Sequence, residues 1–410
     1  MESAPFRDLL SPAGQAVLSA AQALQPREVD FLTHFQALSR HYPVELSRLA
    51  LEIAILRREA LAKFPETIAQ HTYWTREALE QASSYPVSCY RAARYQGFSR
   101  VADLGCSAGG DALALAEVTA VVGLDRDAVR LRLAQANLEA VGLGDRAHWI
   151  QADLHASLPY AAGDMALFFD PARRAAGRRI YSVKDYHPPL EIVKNWLERF
   201  PALGVKLSPG VDHQEIQEYP AEVEFISLRG ELKEAVLWFG PLRTTDRRAT
   251  LLPGGHTLYS SSDQVAQASL PLAEPGGYIY EPDPAVLRAG LVAALGEQIQ
   301  AAQLDPDIAY LTTDRLQTTP FARSWKVIDW LPFQLKRLRQ YLRQRGIGHL
   351  VVKKRGSPLE PERLIRDLRL EGENHAVLFL THLQGKPIVI LAEELPARGS
   401  ILPSELAPTR

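Results

Sequence analysis

The stretch that decides the fold is residues 101–116, "VADLGCSAGGDALALA". Val101 to Leu104 form a short apolar run of strand type. Gly105, Gly109 and Gly110 then permit a tight turn, and "DALALA" continues as a helix without a breaker. A strand that passes through a glycine-rich turn straight into a helix brings bare backbone close to a ligand. It also points the helix N-terminal amides at that ligand, which favours negative charge. An ordinary strand-to-helix connection uses glycines for geometry alone, so the stretch acquires meaning only from its neighbours.

Twenty residues after Gly105, "AVVGLDRDAV" carries Asp125 at the end of a second strand. A carboxylate there can accept two hydrogen bonds from a ribose diol. The next strand closes on "QADL", where Asp153 can accept from an adenine amine and the Leu154 amide can meet the ring edge. Two cofactors fit this far, a nicotinamide dinucleotide and S-adenosylmethionine. The dinucleotide fingerprint requires G-x-G-x-x-G. The chain has Gly105-Cys106-Ser107-Ala108-Gly109, without the second glycine where a pyrophosphate presses closest. S-adenosylmethionine brings no phosphate to the loop and tolerates Cys106 and Ser107. Its amino-acid end would lie over the loop with Asp103 near the ammonium, and this cofactor is the favoured one.

Outward from this stretch, short apolar runs alternate with helical ones between about residues 98 and 240, which predicts a mostly parallel sheet with helices on both faces. The last two runs, "VEFISLRG" and "EAVLWFG", stand too close in sequence for a parallel crossover and must form an antiparallel hairpin at the sheet edge. Residues 1–95 read as helices, with Thr75 capping "REALEQAS". "YWTREALEQA", beside the first strand, is a candidate lid.

At 410 residues, two or three domains are expected. An apolar content of 46% and a charged content of 23% exclude a disordered chain. A net charge of −2 excludes a polyanion-seeking field over the whole molecule, though not a local patch. Two cysteines, Cys89 and Cys106, make neither a disulfide framework nor a zinc site. No basic start with an apolar run reads as a signal peptide, and no run is long enough to span a bilayer. A cytoplasmic protein with no metal and no membrane partner is the expectation.

"DLGCSAGGD", "GLDRD" and "QADL" resemble the first three motifs of the class I S-adenosylmethionine-dependent methyltransferases. The resemblance implies a Rossmann-like sheet in which Asp103, Gly105, Gly109, Asp125 and Asp153 contact the cofactor. Cys106, Ser107, Arg126 and Leu154 join them as candidates. The fourth strand ends in "LFFDPARR", at the carboxyl end where ligands of open α/β sheets bind. Asp170-Pro171 resembles the start of the acidic-or-amide, proline, proline, aromatic motif of methyltransferases that modify base nitrogens. That resemblance gives Asp170 the task of orienting an amine. Asp-Pro is also an ordinary turn pair. Ala172 and Arg173 depart from the motif, so a flipped base lacks a stacking partner unless Tyr181, Tyr186 or His187 serves. Pro171, Arg173 and Arg174 are candidate substrate contacts, the arginines as phosphate ligands or as a solvated loop. Lys206 and Ser208 close the next strand and wall the same cleft.

From Arg323 to Leu370 the chain holds thirteen Lys or Arg against four Asp or Glu, so the remainder is acidic. Lys336, Arg337, Arg339, Arg343 and Arg345 lie around one helix, and Lys353, Lys354 and Arg355 gather at a strand end. Such a concentration suits phosphate contacts; basic stems can equally cover apolar surface. "GIGHLVVKKRGSPLEPERLIRDLRLEG" resembles the THUMP-like domain of a bacterial methyltransferase family, as do "KFPETIAQHTYWTREALEQAS" and "DPARRAAGRR" elsewhere in the chain. This resemblance implies RNA, transfer RNA included, as substrate. The expected domains are a helical N-terminal domain (1–95), a methyltransferase domain (96–242), an insertion or linker (243–322) and a small α+β THUMP-like basic domain (323–396). The expected activity is methyl transfer to RNA, with a base nitrogen favoured. The alternatives are a protein or small-molecule acceptor, or a non-catalytic RNA-binding scaffold.

Overall fold

Apolar residues at three- and four-residue spacing make the first segment helical: α1 (Ser3–Leu10), α2 (Pro12–Ala23), α3 (Phe31–Leu38), α4 (Val44–Ala60), α5 (Glu66–Ala69), α6 (Arg76–Gln81) and α7 (Tyr85–Ala93). Thr75 caps α6 by accepting from the Ala78 amide, as its sequence suggested. In the computed structural model the described residues are 3–156, 158–159, 165–172, 174–175, 178–179, 182–261 and 269–395. None of the described helices is long and apolar enough to cross a membrane.

Polar side chains fix the path between these helices. Arg57 on α4 donates to the carbonyls of His71 and Thr72 at 2.8 and 3.0 Å. Lys63 directs its ammonium at the carbonyls of Leu79, Glu80 and Ala82, at 2.7 to 2.8 Å. A cation at these last carbonyls offsets the negative end of α6.

The chain divides into two compact units, Met1–Asp246 with Leu252–Gly255 and Arg247–Leu251 with His256–Arg410. In the first, β1 (Arg100–Leu104), α8 (Gly110–Val118), β2 (Ala120–Asp125), α9 (Ala128–Ala140), β3 (Ala147–Gln151) and β4 (Met165–Phe169) alternate as expected. A short ribbon of β5 (Arg174–Ala175) and β6 (Arg178–Arg179) follows, then α10 (Ile192–Leu197), β7 (Leu203–Leu207), α11 (His213–Ile216), β8 (Glu222–Leu228) and β9 (Glu231–Phe239). Within this unit the strand order is β8-β9-β7-β4-β1-β2-β3. β3, β2, β1, β4 and β7 are parallel, and β9 is antiparallel to both β7 and β8. The edge hairpin predicted from its short connection is therefore present, in a Rossmann-like sheet.

The N-terminal helices share one apolar core with this sheet: Phe6, Leu51, Trp74, Val101, Leu113, Phe168 and Trp238 belong to the same buried cluster. Residues 1–95 are thus a helical layer of the first unit rather than a separately cored body. Asn137 on α9 joins the two layers. Its Oδ1 accepts from the Tyr73 amide at 2.6 Å, and its Nδ2 donates to the carbonyls of Tyr73 and Ala108 at 3.0 and 2.8 Å.

β10 (Arg247–Leu252) and β11 (His256–Ser260) pair as an antiparallel hairpin that turns through Gly254-Gly255. A seven-stranded sheet follows, made of β12 (Tyr278–Pro282), β13 (Ala302–Asp305), β14 (Ile308–Thr313), β15 (Ala322–Pro332), β16 (Ile347–Lys354), β17 (Asn374–Leu383) and β18 (Lys386–Glu394), in the order β13-β14-β12-β15-β18-β17-β16. The segment 243–322, expected as an insertion or linker, supplies three of these strands. Helices Leu335–Gln344 and Pro361–Leu368 bury Leu338, Leu342, Leu364 and Leu368 against one face. Trp325 and Tyr310 pack edge-on to Phe379 on the other.

Asn137→Ala would leave the Tyr73 amide and two carbonyls buried without partners, each omission costing about 1–3 kcal/mol. The urea midpoint of the full chain is expected to fall by an amount equivalent to about 3 kcal/mol or more. An unchanged midpoint would show that Asn137 does not hold the helical layer to the sheet.

Candidate active site

The carboxyl ends of β1, β2, β3 and β4 open into a cavity of about 340 Å³. From β1 and its turn come Asp103, Gly105, Cys106, Ser107, Gly110 and Asp111. From β2 and β3 come Asp125, Arg126, Asp153 and Leu154. From β4 come Asp170 and Pro171. Most of the cofactor candidates read from the sequence therefore surround one space. Gly109 does not line it. At φ +81° it caps α8, and a Cβ there would stand 3.1 Å from Ala134 Cβ on α9, so its absent side chain serves helix packing. Gly105, at φ +80°, faces the opening, where a Cβ would come within 3.2 Å of the Asp170 carbonyl.

Asp125 is held in place by amides. Ser107 N donates to its Oδ2 at 3.0 Å and Asp127 N to its Oδ1 at 2.9 Å. Asp153 is exposed and accepts from the His155 amide at 2.9 Å. Asp103 differs from both. It is 1% exposed, and among the described residues its Oδ2 has no hydrogen-bond partner. Burial pushes its carboxyl well above the usual carboxylate range, and repulsion from Asp111 and Asp170 adds to this. Asp103 thus presents beside the cavity an oxygen that no described residue satisfies. Burial also pushes the Cys106 thiol up, which fits a loop residue rather than a nucleophile.

Beneath the cavity lies a charge network that the sequence did not disclose. Arg91 on α7, 2% exposed, stands 2.7 Å from Asp111 and 2.7 Å from Glu234. Burial works against the guanidinium charge, but the two carboxylates outweigh it and raise its pKa above the ordinary value. For Asp111 the balance runs the other way: burial opposes ionisation, while Arg91 and Lys206 outweigh it and lower the pKa. Lys206 on β7, 4% exposed at its side chain, donates to Asp170 Oδ2 at 2.6 Å. Sequence reasoning gave Lys206 to the wall of the cleft; it stands behind Asp170 as its counter-ion. Arg91, Asp111 and Glu234 come from three elements and carry no local motif.

The lid candidate also reaches the cavity, through Trp74, Ala78, Glu80, Gln81 and Ala82. Tyr186 cannot serve as a stacking ring, because it is fully buried, whereas His187 lines the cavity. Arg173 and Tyr181 lie outside the described residues, as does the side chain of Arg174. The basic strand end of the second unit is already engaged. Lys353 pairs with Glu281 at 2.5 Å and Lys354 with Glu360 at 2.8 Å, while Arg355 lies over the Tyr310 ring at 5.4 Å. All three thus have partners within their own chain.

Residues 101–175 match the methyltransferase domain family, residues 322–394 the family described as THUMP domain-like, and residues 2–60 a domain of unknown function (DUF8688). A curated protein of Mycobacterium tuberculosis strain H37Rv, described as an uncharacterized S-adenosylmethionine-dependent methyltransferase, is 37% identical over 344 residues, which cover 81% of this chain and 92% of that protein. Its counterpart in strain CDC 1551 matches to the same extent. The crystal structure of a Porphyromonas gingivalis W83 protein, assigned as a methyltransferase, shares the fold at a TM-score of 0.73 and 19% identity, covering 90% of this chain and 100% of that one. Identity at that level over nearly the whole of the curated relatives, on a sheet of this topology, decides the matter: the chain belongs to the class I S-adenosylmethionine-dependent methyltransferases and carries a THUMP-like domain at residues 322–394.

Proposed function

We propose that the protein is a cytoplasmic enzyme that methylates RNA at a base nitrogen, with transfer RNA the first class to test. The observation that carries the RNA reading is the surplus of positive charge in the second unit. On its two covering helices Lys336, Arg337 and Arg366 are exposed, as is Arg369 just after the second, and none of the four has an ion pair among the described residues. Phosphate contact is therefore assigned to this helical layer, and the strand-end Lys353, Lys354 and Arg355 are withdrawn from it.

The cavity suits S-adenosylmethionine. Asp103 Oδ2 would take its ammonium, Asp125 its ribose hydroxyls, and Asp153 with the Leu154 amide its adenine edge, while Gly105, Ser107, Cys106 and Arg126 line the same space. When bound, the cofactor supplies an electrophilic methyl group on a sulfonium. Asp170 does the orienting. Its Oδ2 is taken by Lys206, which leaves Oδ1 to accept an N–H from the acceptor and turn the nitrogen lone pair toward the cavity. The carboxylate is also placed to receive the proton that the nitrogen loses after transfer. Pro171 shapes the wall beside it. Direct displacement asks for positioning and exclusion of water, and a buried charge network under the site holds Asp170 rigidly enough for that.

With labelled S-adenosylmethionine and total bacterial RNA, the full chain is expected to transfer label that Asp170→Ala reduces about 100-fold or more. RNA affinity is expected to fall steeply with salt, less so in Lys336→Glu/Arg337→Glu. Equal incorporation by wild type and Asp170→Ala would remove the mechanism. Label entering only protein or small molecules would replace RNA as the acceptor.

Asp103 makes a second test. The folded protein holds its proton more tightly than the unfolded chain, so folding takes up a proton. That contribution is present below the ordinary carboxylate range and is lost as pH rises through the raised folded value. Asp103→Asn is therefore expected to stabilise the ligand-free protein at neutral pH and to leave it unchanged at acid pH. The same variant should lose most of the thermal shift that S-adenosylmethionine gives wild type. A variant less stable than wild type at neutral pH, or one stabilised by the cofactor as strongly, would contradict the assignment.

A further inference from the structure

We propose that the imidazole of His187 is the wall on which a planar acceptor base stacks. The motif resembled at Asp170-Pro171 carries an aromatic ring two residues later, and this chain has Arg173 there. The fold brings a different ring beside Ala172. His187 and Ala172 exchange both backbone hydrogen bonds, at 3.2 and 3.1 Å, so His187 is laid across from the residue that follows Pro171.

The backbone that carries His187 is pinned. Tyr186 and Leu190 are fully buried and Val183 nearly so. Glu215 accepts from Ser182 Oγ at 2.7 Å and from the Val183 amide at 2.9 Å. On this fixed support the His187 side chain is exposed and lines the cavity with Asp170 and Pro171. A polar ring held open on rigid backbone loses little entropy when a base covers it.

The other rings that line the cavity are committed elsewhere. Trp74 packs 5.0 Å from Phe64 and donates its Nε1 to Thr72 Oγ1 at 2.8 Å. Phe169 is buried edge-on to Trp196 at 4.9 Å. His155 is exposed, but it follows Asp153 and Leu154 at the end of β3, on the side assigned to adenine. His187 is thus the exposed ring beside Asp170 among the described lining residues. A carboxylate for the amine and a flat ring for the base face select a planar nitrogen heterocycle over an aliphatic amine of a protein side chain. This inference rests on the base-nitrogen reading and adds to it the surface that recognises the base.

The test has two arms on the full chain. In the first, methylation of total bacterial RNA is compared across wild type, His187→Ala and His187→Phe. His187→Ala is expected to raise KM roughly 10- to 100-fold with kcat and the thermal shift from S-adenosylmethionine unchanged, and His187→Phe to restore KM. In the second, the His187 Cε1–H resonance, identified by its loss in His187→Phe, is followed with saturating S-adenosylhomocysteine while each of the four nucleoside 5′-monophosphates is added. An upfield ring-current shift with at least one of them is expected. If RNA is methylated but His187→Ala leaves KM unchanged, or no nucleotide moves the resonance, the stacking role is overturned. If the resonance shifts while wild type methylates no RNA, the stacking surface stands and the RNA methylation reading falls.

Discussion

Everything at the active end of the sheet depends on one buried guanidinium. Arg91 leaves α7 and enters the space between α8 and β9, where Asp111 and Glu234 each stand 2.7 Å away and its guanidinium carbon lies over the Phe168 ring, 4.7 Å from the centroid. Removing it would strand two carboxylates in a dry interior, a defect that costs about 3–5 kcal/mol. The pair is not needed for stability as such, since apolar residues of equal volume can do as well. What it supplies is placement. It ties α7 of the helical layer to the first turn of α8 and to β9, against the Phe168 ring on β4.

The floor holds more acids than cations. Arg91 and Lys206 face Asp103, Asp111, Asp170 and Glu234, and two cations cannot satisfy four acids. Burial raises the pKa of Glu234 even though Arg91 and Lys206 oppose the shift, and Asp103 ends with an oxygen that no described residue satisfies. A fold selected for stability alone would not keep such a group. The surplus makes sense where the ligand arrives with positive charge of its own, and the methyl donor carries both an ammonium and a sulfonium.

Much of the first unit could be read in the chain because its signals are local. A strand that runs into a glycine turn, a carboxylate closing the next strand, and a three-residue gap that forbids a crossover each occupy a few consecutive residues. The charge network could not be read that way. Arg91 and Arg94 sit in "YRAARY", which looks like the solvated face of a helix, yet Arg91 is buried and Arg94 forks onto Glu222 and lies over Trp238. Their partners are more than a hundred residues away for Glu222 and Glu234, so no spacing announces them. The second unit hides its strands for another reason. β15, "ARSWKVIDWLP", mixes buried Trp325 and Leu331 with exposed Lys326 and Ile328 and breaks register between Val327 and Asp329, so its alternation is blurred.

The same distance effect explains why basic residues were easier to count than to place. Lys353 and Lys354 stand in an obviously cationic string, but Glu281, 72 residues earlier, and Glu360 neutralise them once the sheet forms. The charges left over lie on the helical layer covering one face of the sheet. Composition reports how much charge a domain holds; folding decides which part remains free to meet a polyanion. For Asp170 the logic is reversed. Its sequence neighbourhood, "DPAR", lacks the ring of the motif it resembles, and tertiary pairing across Ala172 supplies an imidazole in its place. A degenerate motif on the page is therefore not evidence of a degenerate site, because the missing chemistry can return from fifteen residues downstream on a backbone that the core holds still.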